Sequence, residues 1–312
     1  MNVYAIVFPG QGSQAVGMLD ALADHPAVRR TLAEAADALG EDLAALIHAG
    51  PKERLDLTTN TQPVMLAAGV ACWRALHAET GIAPVAMAGH SLGEYAALVA
   101  AGALSLADAL PLVRFRAQAM QEAVPAGAGA MAAILGLEAG AVVAGCAQAH
   151  AETGEVVTAA NFNEPRQTVI AGTRAGVDRA CELLKAAGAK RALPLPVSAP
   201  FHCPLMQPAA ERLRARLATL ALAAPRVAVV NNVDVAAPAE PAAIADALYR
   251  QAYRPVRWVE VVQALRARGA THLVECGPGK VLAGLARRIE PALAAATVCD
   301  PASLAEVKGW LQ

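Results

Sequence analysis

The sequence predicts an α/β protein. A large domain built on a parallel sheet is interrupted by a smaller domain of mixed strands and helices. Three observations carry this. Short apolar runs bounded by Gly and Pro alternate with longer helical patterns, as strand–helix units do. One such run, residues 85–88, leads through a glycine-flanked turn straight into a helix. Residues 127–196 read strand-helix-strand-strand-helix-strand between proline and glycine breaks, which is the order of a ferredoxin-like unit. The expected division is therefore 1–126 with 197–312 for the large domain and 127–196 for the insert.

Residues 3–8 read as a buried strand, closed by the turn Pro9-Gly10-Gln11-Gly12-Ser13-Gln14. That turn lacks the register of a dinucleotide fingerprint and the lysine of a phosphate loop. It can still bring a backbone N–H close to a reacting group. Helices are expected over 26–39 and 42–48. A longer one should run from Thr58 to about Glu79, with Pro63 in its first turn, where proline is tolerated. At Gly89-His90-Ser91-Leu92-Gly93 the spacing G-x-S-x-G, between a strand and a helix ending near Gly102, is that of a nucleophile elbow. The serine takes a strained backbone, the glycines let strand and helix approach, and the helix start offers free N–H groups to an oxyanion. This makes the large domain α/β-hydrolase-like.

Ser105-Leu106-Ala107-Asp108 starts the next helix in capping-box fashion. Arg114, Gln118, Gln121 and Glu122 mark its polar side, whereas Arg116 falls in line with Ala109, Val113 and Met120. A guanidinium on an apolar stripe is costly unless an anion meets it. Two readings stand: a structural role, as a buried ion pair or a snorkelling side chain, or a fork awaiting a substrate carboxylate. The insert supplies strands at 130–136, 155–162, 167–172 and 190–195, with helices at 139–151 and 175–187. Beyond it come a proline-bracketed loop around His202, a helix to about Leu220 and a core strand at 227–232. Helices at 242–251 and 257–268 follow, then a last strand at 271–276 and a helix from Gly277-Pro278-Gly279-Lys280 to Arg288.

Of 312 residues, 56% are hydrophobic and 17% charged, so a large core is available, and with 4% aromatics it must be built from Ala, Val and Leu. A net charge of −1 argues against bulk nucleic-acid binding. The six cysteines form no C-x-x-C pair, which points to buried free thiols and to neither disulfides nor a metal site. The N-terminus lacks a basic leader, and no apolar run is long enough to span a membrane. A soluble, cytoplasmic protein without membrane attachment is expected.

A serine nucleophile needs a base within hydrogen-bond reach. Of the seven histidines, His25, His48, His77 and His150 sit in or beside polar helix segments. His90 adjoins Ser91 and points away from it, and His272 lies early in a strand, whereas sites gather at the strands' carboxyl ends. His202 remains. Asp108 and Asp178 fall on helix starts or surfaces, so no triad acid is evident, and a Ser–His dyad oriented by a backbone carbonyl fits better.

Taken together, Phe8-Pro9-Gly10-Gln11-Gly12-Ser13-Gln14, Thr61-Gln62-Pro63, Gly89-His90-Ser91-Leu92-Gly93-Glu94-Tyr95, Arg116 with Met120-Gln121-Glu122-Ala123-Val124, Asn161-Phe162-Asn163, Ser198-Ala199-Pro200-Phe201-His202, Asn231-Asn232-Val233 and Glu275-Cys276-Gly277-Pro278-Gly279-Lys280 resemble the malonyl-CoA:acyl carrier protein transacylases of type II fatty acid synthesis. The resemblance covers nearly the whole chain. It implies Ser91 as the acylated nucleophile, His202 as its base and the carbonyl of Gln251 as the group that orients the ring. It further implies an oxyanion hole from the N–H groups of Gln11 and Leu92, Arg116 as the grip on the malonyl carboxylate, and Asn161 in the cleft wall. Phe201 stands where some members carry serine; in related polyketide acyltransferases a bulky residue there accompanies malonyl over methylmalonyl. The implied reaction is ping-pong transfer from malonyl-CoA to the phosphopantetheine thiol of acyl carrier protein, with no cofactor or metal, by a monomer. A serine esterase or thioesterase sharing the elbow, and a carrier-protein binding module with a decayed site, are the competing expectations.

Overall fold

Alternate residues of the first strand, β1 (Tyr4–Phe8), face two different cores: Tyr4, Ile6 and Phe8 pack into one, Ala5 and Val7 into the other. A strand covered on both faces belongs in the middle of a parallel sheet. The computed structural model, which describes residues 2–311, puts it there. After β1 come α1 (Pro26–Leu39), α2 (Leu43–Ala49), α3 (Lys52–Leu55), α4 (Thr58–Thr80), β2 (Ala86–Gly89), α5 (Gly93–Ala100) and α6 (Leu106–Glu122). The next stretch holds β3 (Gly129–Leu135), α7 (Ala139–Thr153), β4 (Val157–Glu164), β5 (Gln167–Thr173), α8 (Arg174–Ala186) and β6 (Arg191–Pro194). The chain finishes with α9 (Gln207–Leu217), β7 (Val229–Val230), α10 (Pro241–Gln251), α11 (Trp258–Ala267), β8 (His272–Cys276), α12 (Val281–Ile289), β9 (Ala294–Val298) and α13 (Pro301–Trp310).

Two sheets result. One is parallel, in the order β7-β2-β1-β8-β9, with α4, α5 and α6 over one face and α11 and α12 over the other. Its register pairs Phe8 with Gly89, so the turn after β1 and the turn after β2 leave the sheet side by side. The second sheet is antiparallel, in the order β4-β5-β3-β6. Ala132 and Ile134 of β3 face α7 and α8, while Met131 and Ala133 face Cys203, Leu205 and Phe201 of the loop before α9. The sheets are joined at β4: Val256 donates its N–H to the Ala160 carbonyl at 2.9 Å and accepts that of Phe162 at 2.9 Å.

Three expectations need correction. The core strand expected at 227–232 shrinks to Val229–Val230, because Asn231 turns the chain, its N–H on the Ala236 carbonyl and its Oδ1 receiving the Asp234 N–H. The strand at 271–276 is not the last. The alanine-rich β9, a composition of low β propensity, pairs along the whole of β8, and α13 follows behind a capping box at Asp300 and Ser303. Pro63 lies in the second turn of α4, not the first. All six cysteines are free; Cys72, Cys146, Cys203 and Cys276 are buried and Cys181 and Cys299 half-buried. Among the described residues no helix is long and apolar enough to cross a membrane, and no cluster of His, Cys, Asp and Glu could hold a metal ion.

Candidate active site

Gly89 and Gly93 bracket Ser91 because nothing larger fits. A Cβ on Gly89 would lie 1.9 Å from the Gly93 carbonyl carbon, and one on Gly93 would lie 2.1 Å from the Phe8 carbonyl oxygen. Strand β2 and helix α5 therefore cross at backbone contact, and Ser91 between them is forced to a φ of 51°, a left-handed conformation that costs an L-residue free energy. Asn232, just past β7, clamps that turn. Its Oδ1 accepts the Ser91 N–H at 2.7 Å, its Nδ2 donates to the Gly89 carbonyl at 2.8 Å, and its own N–H donates to Glu94 at 2.9 Å.

His202 also has a left-handed backbone, with a φ of 61°, in the loop before α9. Its Nε2 is 2.7 Å from Ser91 Oγ and its Nδ1 is 2.9 Å from the Gln251 carbonyl oxygen. A carbonyl only accepts, so the proton sits on Nδ1, and Nε2 is left with a lone pair facing the hydroxyl. Burial, reinforced by the charge of Arg116, holds the imidazole down at about 3 from an ordinary 6.5. The ring is therefore neutral and free to take a proton.

Arg116 of α6 is 2% exposed and reaches the same point. Its Nη2 donates to Ser91 Oγ and to Gln251 Oε1, both at 3.2 Å, and its Nη1 to Gln62 Oε1 at 2.9 Å. Every partner is neutral, and Nε–H has none among the described residues. The structural ion pair is absent there, and a side chain this buried does not snorkel to solvent. A buried guanidinium held only by neutral groups can receive an anion.

These side chains open on a cavity of about 780 Å³ lined also by Gln11, Leu92, Asn161, Phe201, Met131, Lys52 and residues 195–197. The N–H groups of Gln11 and Leu92 make no hydrogen bond among the described residues, and Leu92 opens α5, where a helix leaves donors free. Asn161 sits at a register shift of β4 beside Val256. His90 points away from Ser91, as expected, with Nε2 2.9 Å from Asn163 Oδ1.

Sequence reasoning quoted Gln62, Glu94, Asn232 and Thr58 but gave them no task. Gln62 receives Arg116, and Glu94 accepts both the Asn232 N–H and, at 2.9 Å, the Gln251 side chain. Thr58 meets Gln11 Nε2 at 3.3 Å and Ser198 Oγ at 2.8 Å, tying the Gln11 turn to the His202 loop. Buried polar residues in strand-end and helix-start segments were the available signal, since each must find a partner.

The sequence pattern described as acyl transferase domain matches residues 5–302. The chain is 53% identical over 305 residues to the malonyl CoA-acyl carrier protein transacylase of Salmonella typhimurium, covering 97% of this chain and 98% of the relative. It is 47% identical over 305 residues to that of Bacillus subtilis, covering 97% and 96%. Among solved structures, the acyl-carrier-protein S-malonyltransferase of Burkholderia pseudomallei 1710b superposes with a TM-score of 0.96 at 62% identity, over 98% of this chain and 99% of that one. A malonyl-transacylase solved in complex with its type II acyl-carrier protein superposes with a TM-score of 0.96 at 50% identity, over 99% of each chain. The chain belongs to the acyl transferase domain family, within its malonyl CoA-acyl carrier protein transacylases.

Proposed function

We propose that this protein moves a malonyl group from malonyl-CoA to the phosphopantetheine thiol of acyl carrier protein through a malonyl ester on Ser91. One observation carries the reading: a serine hydroxyl bonded to a neutral, carbonyl-oriented imidazole lies within reach of a buried guanidinium that has no counter-ion among the described residues. As Ser91 Oγ attacks the thioester carbonyl, its proton passes to His202 Nε2. Negative charge grows on the carbonyl oxygen and is met by the N–H groups of Gln11 and Leu92. The C–S bond breaks, and the CoA sulfur leaves with the proton from His202. The carrier thiol then gives its proton to His202, attacks the ester, and Ser91 recovers the proton as it departs.

Arg116 holds the free carboxylate through both steps. Asn161 and Phe201 close the cavity around the acyl chain, and the bulk of Phe201 disfavours a branch at the second carbon, where one methyl is worth only about 1–3 kcal/mol. In this reading an α/β-hydrolase-like domain (1–126 and 197–312) supplies the nucleophile, base and guanidinium. A ferredoxin-like domain (127–196) supplies Asn161. In this reading the protein acts in the cytoplasm as a monomer, and no cofactor enters the reaction.

Intact-mass measurement after mixing with malonyl-CoA tests this. A single malonyl adduct is expected, absent in Ser91→Ala and discharged rapidly by holo carrier protein but slowly by water. An adduct that survives Ser91→Ala removes the mechanism, and rapid hydrolysis makes the protein a thioesterase.

A further inference from the structure

We propose that Glu94 tunes the preference for acyl groups bearing a free carboxylate: through the amide of Gln251 it competes with the incoming carboxylate for the charge of Arg116. The inference rests on the reading of Arg116 given above and concerns a residue that touches neither Ser91 Oγ nor the acyl cavity. The Gln251 side chain stands between the two charges. Its Oε1 accepts from Arg116 at 3.2 Å, and its Nε2 donates to Glu94 at 2.9 Å and to the Ser91 carbonyl at 3.0 Å. Glu94 is 2% exposed and forms no direct ion pair with Arg116. The guanidinium is thus left open toward the cavity while a carboxyl waits behind it.

The choice of a carboxyl at this place needs a reason. The two N–H groups that reach Glu94, from Asn232 and Gln251, would be satisfied equally by the carbonyl of a glutamine. Burying an acid there is the costlier solution. What the acid adds is a charge that can be present or absent. The groups facing it are few: Arg116 from α6, Tyr95 from its own helix, and Asp234 from the turn after β7, itself bonded to Arg250. Helix α10 contributes Ile244, Ala247 and Gln251, none of them titratable. Burial pushes the Glu94 carboxyl up to about 7, against the pull of Gln251, Asn232 and Arg116.

Two carboxylates cannot share one buried guanidinium without cost. When an acyl carboxylate docks on Arg116, Glu94 gains affinity for a proton, taken from solvent. By reciprocity, protonated Glu94 makes Arg116 the better receptor. A neutral acyl group such as acetyl has no such coupling. The preference for malonyl over acetyl therefore falls as pH rises through neutrality, and a coupling of one pKa unit makes that fall about tenfold.

The experiment compares single-turnover kcat/KM for acylation by malonyl-CoA and by acetyl-CoA from about pH 5.5 to 8.5, where the malonyl carboxylate stays ionised. His202 serves both acyl groups, so its titration cancels in the ratio. The malonyl-to-acetyl ratio of the wild type should fall about tenfold, that of Glu94→Gln should stay high and flat, and Glu94→Asp should retain a slope. A flat wild-type ratio, or a Glu94→Gln ratio that follows the wild type, overturns the proposal even where Glu94→Gln alters stability. Absence of any malonyl adduct would instead overturn the reading of Ser91 and Arg116 on which it rests.

Discussion

At the scale of single residues the site joins one strained hydroxyl, one neutral imidazole and one guanidinium without a counter-ion among the described residues. Arg116→Ala should lower malonyl transfer on the order of 10²-fold, the loss of one or two charge-assisted hydrogen bonds, while sparing acetyl transfer. Competition between the two CoA thioesters in one reaction measures this; equal losses would make Arg116 structural. The depressed pKa of His202 fixes a second outcome. The imidazole is already neutral well below 6.5, so with His202 as the proposed base the acid limb of the acylation rate should lie far below the ordinary histidine range, as a stopped-flow profile would show. Ser91, His202 and Arg116 were legible because each breaks a local rule: a serine between glycines, a histidine between prolines, an arginine on an apolar stripe. Gln62, Glu94 and Asn232 break none. Their work depends on neighbours up to 157 positions away, as between Glu94 and Gln251, which no local pattern encodes.

At the scale of elements, the elbow is a crossing of β2 and α5 at backbone distance. Gly93→Ala should therefore behave unlike an ordinary helix Gly→Ala change, which commonly stabilises. Its new Cβ would meet the Phe8 carbonyl oxygen at 2.1 Å, a backbone atom that cannot swing aside. We expect a cost of about 3 kcal/mol or more from overpacking, seen by calorimetry as a lowered Tm, together with slow acylation as Ser91 is displaced. Elements defined by their own composition, such as α1 with its Gly40 stop and α6 with its Ser105 cap, are readable in the sequence. Elements defined by what they lie against are not. β9 is an alanine run that becomes a strand because β8 presents it an open edge, and β7 is cut to two residues because Asn231 and Asn232 are drawn away to the turn and the elbow.

At the scale of the molecule, the same interior that buries the site makes stability depend on pH, with opposing signs. Glu94 and Glu275 are both pushed up to about 7 by burial. Glu275, one residue before the end of β8, has Oε2 on the Ala283 N–H of α12 at 2.9 Å and, among the described residues, Oε1 without a partner. A carboxyl raised in the folded state contributes stability fully below its unfolded value near 4.5, and loses that contribution as pH rises through 7. His202, depressed to about 3, contributes above 6.5 and loses that as pH falls toward 3. The two acids therefore take stability away as pH rises from about 4.5 to 7, because the core keeps them protonated where the unfolded chain ionises. The imidazole takes it away as pH falls from 6.5 toward 3, because the core keeps it neutral where the unfolded chain charges. Glu275→Gln keeps an acceptor for Ala283 but removes one of the two ionisations. Calorimetry from about pH 4.5 to 8 should show its Tm gaining on the wild type steadily up to about 7 and holding a constant difference above. A difference independent of pH would mean that Glu275 is ionised throughout and that the start of α12 alone stabilises its charge.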